Sequence, residues 1–429
     1  MTLRLVVSGL ALAAAMGGPA LAQSVRIAEH RQARIDALNA VIPGIEEATG
    51  VDIELVEYPG PDKEYLSKIL TELSAGTGPD VFSLPSMSQV ADFATAGYLA
   101  DVTDVVQGSE AWEHLYDVAK EQSTMDGTVY VMPTQMAVLQ LYYRKDLLDE
   151  AGISTEQPMS WDELLDRARE IKEKTGAYAL LVPMGATWGG GSWIEGFRPM
   201  LAASSTPDIL TDDGKFDLSS DGVGEVLSFY ETLIREELIP VDPLLGPDPW
   251  VIPKYEMFPA GELMATTCGS WCYFTDFGPN SNNPIPDAAE TVGTWLIPKS
   301  DGGDPIVIAG PNHPWSVNSN AIDMEASQKV LAALGSVDLA VSYSTATGNL
   351  PARSDVVDAP EFQALEPLPR IAGEIESGTD IVTAPGFTTV MEAINRATEA
   401  LLLGNADAAG AQELLVEYAT DGLGSDMVQ

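Results

Sequence analysis

The chain has 429 residues, more than one ordinary hydrophobic core accommodates, so length favours two domains or one large one. Hydrophobic residues make up 45% and charged residues 20%, a globular balance and not a disordered one. Acids outnumber bases 64 to 22, for a formal net charge of −42, which leaves no broad basic face for nucleic acid or anionic lipid.

Residues 1–22 read as a secretory signal peptide. Arg4 is a short positive n-region, and residues 5–15 form an apolar run too short to span a bilayer. Gly17, Gly18 and Pro19 break a helix there, and Ala20-Leu21-Ala22 is a small-x-small cleavage site. The mature chain is then expected to start at Gln23 with a charge of 21 − 64 = −43. No cysteine follows the leader to take a lipid anchor, and no later stretch is long and apolar enough to cross a membrane. The expectation is an exported protein, most simply periplasmic, with no direct membrane insertion.

Strands and helices then alternate. Residues 25–28 read as a strand, and Ile35, Leu38, Ile42 and Ile45 stripe a helix over 31–49 with Pro43 as a kink. Val51, Ile53 and Leu55 alternate as a strand does; Tyr65, Leu66, Ile69, Leu70 and Leu73 mark a second helix that Gly76–Pro79 stops. Residues 81–84 are the next strand, and strands separated by helices of this length argue for parallel βαβ units in an α/β fold. Downstream, 137–143 reads as a strand and 146–151 as a short helix. Ser160 and Glu163 form a capping box for a helix to Lys174, and 178–182 reads as a further strand. Val223, Val226, Leu227, Tyr230, Leu233 and Ile234 stripe another helix, and the chain from Asp323 onward is mostly helical. Pro- and Gly-rich stretches cluster near Pro133, near Pro298 and over 348–351.

The residues for catalysis or metal binding are sparse. His30, His114 and His313 lie far apart, with no H-E-x-x-H spacing, and no G-x-S-x-G elbow or phosphate loop occurs. No cofactor and no metal site is expected. Two cysteines, Cys268 and Cys272, could pair in an oxidising compartment or remain two buried thiols. Their spacing is not that of a thioredoxin-like motif.

The informative pattern is aromatic. Trp188 and Trp193 flank Gly189-Gly190-Gly191; Trp271 follows Gly269-Ser270; Trp315 follows Asn312-His313-Pro314. A tryptophan on a loop beside glycines lets a ligand reach its face, where a sugar ring stacks or a quaternary ammonium is held by cation–π attraction. Glu195 stands in the same aromatic stretch.

Six segments, in order, resemble the extracellular solute-binding proteins of ATP-binding-cassette (ABC) importers, and among them the carbohydrate-binding, maltose-binding-protein-like family. They are GPDVF at 78–82, AGYLADVTD at 96–104, YYRKDLL with AGI at 142–153, PMSWDEL at 158–164, GELM with GSW between 261 and 271, and GNLPAR at 348–353. Arg144 stands where the family often has Asn, and the cysteines around Trp271 are no family hallmark.

The resemblance implies two α/β lobes with a ligand cleft between them, three interlobe crossings and hinge closure on the ligand. The expected division is 23–134 plus 298–347 for one lobe and 135–297 plus 348–429 for the other. The resemblance also implies a monomeric, non-catalytic carbohydrate carrier that docks on the transmembrane subunits of an ABC permease. Trp271 corresponds to the sugar-stacking aromatic, with Ser270 beside it. Trp193, Glu195 and Trp188 fall near other second-lobe contacts. First-lobe contacts are expected from His30 and Arg31, from Ser86 and Met87, and from Asn312 and His313. Arg353 either bonds a ligand hydroxyl or anionic group, or anchors the hinge through a salt bridge. A betaine or other quaternary amine and an anionic sugar derivative are alternative ligands, and a secreted glycosidase is the alternative of another class.

Overall fold

The computed structural model describes residues 24–429 except Pro59, Asn280, Val382 and Thr383. The expected signal peptide over 1–22 and the start at Gln23 lie outside the described residues.

β1 (Val25–Glu29) is followed by the helix Gln32–Thr49, β2 (Ile53–Glu57), the helix Asp62–Ser74 and β3 (Val81–Ser83). β1 runs parallel to both neighbours, with Val25 opposite Ile53 and Ile27 opposite Val81. The helical stripe is the reason: Ile35, Leu38 and Ile45 of the first helix, and Tyr65, Ile69 and Leu73 of the second, are buried. Each helix thus covers the sheet that its flanking strands form. Pro43 sits inside the first helix, which continues through it to Thr49.

After the hairpin of β4 (Thr124–Met125) and β5 (Thr128–Val129) comes β6 (Gln135–Arg144), whose ten residues are all buried. β6 pairs antiparallel with β7 (Ala265–Gly269), β8 (Val292–Trp295), β9 (Ile308–Asn312) and β11 (Leu350–Pro351). Burial of both its faces explains why 137–143 reads as a nearly unbroken apolar run. β10 (Trp315–Val317) returns to the first sheet, antiparallel to β3, giving the order β10-β3-β1-β2.

The two sheets make the two lobes. The chain starts β6 after Thr134 and passes from the second sheet to the first between Asn312 and Trp315. It returns through the helices Met324–Leu334 and Val337–Thr347 to β11. His313, at the second passage, takes φ 47°. Pro298 lies within a hairpin in which Ile297 and Ile306 pair. Residues 178–182 do not form a continuous strand. Tyr178 and Leu181 bridge to Leu263 and Thr266, but the N–H groups of Ala179 and Leu180 both turn to the Leu238 carbonyl and interrupt the ladder.

The second lobe is completed by the helices Trp161–Thr175, Asp221–Arg235, Phe387–Leu402 and Ala408–Leu423. Ser160 caps the first of these, its Oγ accepting the Glu163 N–H at 3.1 Å. The Glu163 carboxylate reaches back to the Met159 N–H at 2.8 Å, one residue before the cap.

Candidate functional site

A cleft of about 1390 Å³ opens between the lobes. Of the residues singled out from sequence, Ser86, Met87, Trp193, Trp271 and Asn312 line it. Ser86 is held by a 3₁₀ capping box: its N–H donates to Gln89 Oε1 at 2.9 Å and its Oγ accepts the Ser88 N–H at 3.3 Å. Ser86 also bridges to Asn312, which sets the two side by side at the end of β9.

Trp271 follows β7 and opens the short helix Cys272–Thr275. Its ring folds back over Gly269, where any Cβ would collide with it, so that glycine lets the indole lie against the strand end. Trp193 also lines the cleft but is only 2% exposed, packed edge-on to Phe387 at 4.7 Å.

Three cleft residues were not legible in the sequence. Asp380 accepts from Arg198 Nη1 at 3.1 Å and from Gln122 Nε2 at 2.8 Å. The Arg198 Nε is buried without a partner among the described residues. Gly310 of β9 lies beneath this group, where a Cβ would collide with the Asp380 carboxylate. Arg198 and Gln122 lie 182 and 258 positions from Asp380, so no local motif announces them.

The other expected site residues are not among those lining the cleft. Trp188 is buried against Trp250. Ser270 is fully buried, its Oγ without a partner among the described residues. Glu195 is bonded to Lys254. Lys254 Nζ also lies 3.1 Å from the sulfur of Cys268, 3.7 Å from that of Cys272 and 3.8 Å from Asp276. Burial raises the Glu195 and Asp276 carboxyls above their ordinary values and outweighs the opposing pull of Lys254. The two sulfurs are placed in bonding contact, with Cα atoms 6.2 Å apart, within the range disulfides span. Lys254 Nζ thus contacts all three members of the Glu195–Cys268–Cys272 group.

His30, Arg31 and His313 gather at the first-lobe end of the passage between sheets. His30 stacks on Tyr65 at 4.2 Å, and its Nε2 is 2.7 Å from Asp62. Arg31 pairs with Asp62 at 2.7 Å. Burial would lower the His30 value, but the Asp62 and Glu29 carboxylates raise it above 6.5. Burial would raise Glu29; Arg34, at 2.7 Å, and His30 hold it well below the usual range. Burial together with Arg34 and Arg31 pushes His313 well below an ordinary histidine. Arg34 further bonds Gln135 at the start of β6 and the His313 carbonyl at 3.3 Å. This cluster therefore ties the first lobe to two passages of the chain.

Arg353 is 2% exposed. It binds Asp355 through Nε and Nη2 at 2.8 and 2.6 Å, Glu110 at 2.9 Å and the Gly335 carbonyl at 2.8 Å. Of its two expected roles, these contacts are those of the hinge anchor.

The family model described as bacterial extracellular solute-binding protein matches residues 40–370. The arabinooligosaccharide-binding protein of Halalkalibacterium halodurans is 24% identical over 334 residues, 76% of this chain and 70% of that protein. The melibiose/raffinose/stachyose-binding protein of Bacillus subtilis is 25% identical, over 62% of this chain and 59% of that protein. Among solved structures, maltose-bound MalE3 of T. maritima superposes with a TM-score of 0.76 at 22% identity, covering 93% of this chain and 99% of that one. A solute-binding protein of Agrobacterium radiobacter in complex with ribitol superposes with a TM-score of 0.76 at 21% identity, covering 93% and 98%.

Proposed function

Because the chain belongs to the bacterial extracellular solute-binding proteins, we propose that it is the exported binding component of an ABC importer. In this reading it captures a carbohydrate, polyol or sugar derivative in the interlobe cleft and presents it to the permease without chemical change. The observation that carries the proposal is that Trp271 and the Asp380–Arg198–Gln122 group line the same cleft. A flat indole removes the C–H face of a sugar ring from water, while a carboxylate and a guanidinium offer directional bonds to neighbouring hydroxyls. Several relatives are named for oligosaccharides, and one solved structure holds a polyol, which supports the same ligand class.

The test is a thermal-shift screen against sugars, polyols, sugar acids and betaines. A ligand at about 100 times its dissociation constant adds roughly 2.7 kcal/mol of stability, and the expected hits are neutral sugars or polyols. No hit in any class ends the binding-protein reading; a hit confined to betaines ends the carbohydrate one. Recovery of the ligand unchanged after long incubation separates a carrier from a secreted glycosidase.

A further inference from the structure

The helix Phe387–Leu402 of the second lobe begins without a cap of its own. Its N-cap position is Gly386, in the left-handed region at φ 93°, and its first turn holds no acidic residue. The missing acceptor comes from the other lobe. Asp92, on the short helix Val90–Thr95 beneath the first sheet, accepts the Gly386 N–H on Oδ1 at 2.6 Å. Its Oδ2 accepts the Thr388 N–H at 3.3 Å and the Thr388 hydroxyl. Both carboxylate oxygens thus close on the start of one helix across the mouth of the cleft, which Ala91 and Pro385 line on either side.

We propose that Asp92 is a latch for the closed state: an N-cap supplied by one lobe to a helix of the other. A carboxylate at a helix N-terminus satisfies free N–H groups and meets the positive end of the helix dipole. Opening of the cleft separates Asp92 from Thr388 and returns the carboxylate to water. The helix is then left with glycine at its cap position, so the cap favours closure alone. By linkage, a residue that touches no ligand raises apparent affinity by raising the closed fraction. The latch holds whatever the cleft binds.

The test needs no ligand. Spin labels at Thr71→Cys and Asp421→Cys, exposed positions on the two lobes, report the interlobe distance distribution of the unliganded protein. Asp92→Ala is expected to move population to longer distances, lowering the closed-to-open ratio on the order of fivefold. Asp92→Asn, which keeps one of the two acceptor oxygens, and Thr388→Val move it in the same direction by less. Melting curves identify any variant that fails to fold, and Thr388→Val then carries the test from the partner side. Distributions that superimpose for the wild type and all folded variants overturn the latch, including the case in which the wild type is already fully open.

Discussion

Lys254 and Glu195 form an ion pair on a nearly dry floor behind Trp271, their side chains only 4% and 12% exposed. Each is carried by a π-helical turn, Ser192–Phe197 for Glu195 and Val251–Met257 for Lys254. Such turns place a side chain where a regular helix would not. Removal of one partner leaves a buried charge with none, which costs about 3–5 kcal/mol. Lys254→Met is therefore expected to lower unfolding stability by that amount in urea melts. Lys254→Met/Glu195→Gln recovers part of the loss, because the carboxylate is gone too. A single variant as stable as the wild type refutes a structural role for the pair.

The cysteines next to this pair are expected to be oxidised in the exported protein. Alkylation without reductant, read by intact mass, should label neither Cys268 nor Cys272. The loop they close runs only from 268 to 272, so chain entropy assigns the bond about 2 kcal/mol. Double labelling of the native protein shows two free thiols instead.

Two tryptophans in similar glycine-rich contexts should behave oppositely. Trp271 is partly exposed on the cleft, so Trp271→Ala is expected to weaken ligand binding strongly and shift the melting temperature little. Trp193 is 2% exposed and packed on Phe387. Trp193→Ala is expected to cost about 3–5 kcal/mol of stability through the cavity it leaves. Titration calorimetry beside urea melts separates the two; equal stability losses contradict the assignment.

The contrast shows what was legible in the sequence. Strands and helices were, because apolar periodicity is a local property: Tyr65, Ile69 and Leu73 are buried as their spacing predicts. The position of Trp271 on the cleft was, because Gly269 beside it marks a close approach of ring to backbone. Asp380 was not: one acid among 64 carries no mark until the fold brings Arg198 and Gln122 to it. Nor do neighbouring residues reveal which lobe supplies a partner. Arg353 sits in a family-like motif, yet Glu110, more than 240 positions before it, occupies its guanidinium.

Arg353→Met should accordingly destabilise more than it weakens binding. The guanidinium loses charge-assisted bonds to Asp355 and Glu110, and the Gly335 carbonyl loses its donor. The two acids are partly exposed and rehydrate, which limits the cost to about 2 kcal/mol. Lost affinity at unchanged stability reverses the assignment and makes Arg353 a ligand contact.

His30 gives the fold a pH dependence whose sign follows from its neighbours. Its Nε2 is 2.7 Å from Asp62 and its Nδ1 3.1 Å from Glu29. These carboxylates raise its folded value above the ordinary 6.5. Below about pH 6.5 both folded and unfolded chains hold the proton, and the stabilisation is fully present. As pH rises through 6.5 the unfolded chain loses the proton first, and the contribution disappears as pH passes the folded value. His313 acts on the other side. Burial and the nearby Arg34 keep it neutral in the folded chain, so stability declines as pH falls below 6.5 and the unfolded chain takes up a proton. Unfolding free energy from urea melts is therefore expected to fall as pH rises above 6.5. His30→Gln flattens that alkaline limb and leaves the acid limb in place. An alkaline decline that survives His30→Gln removes His30 as its source.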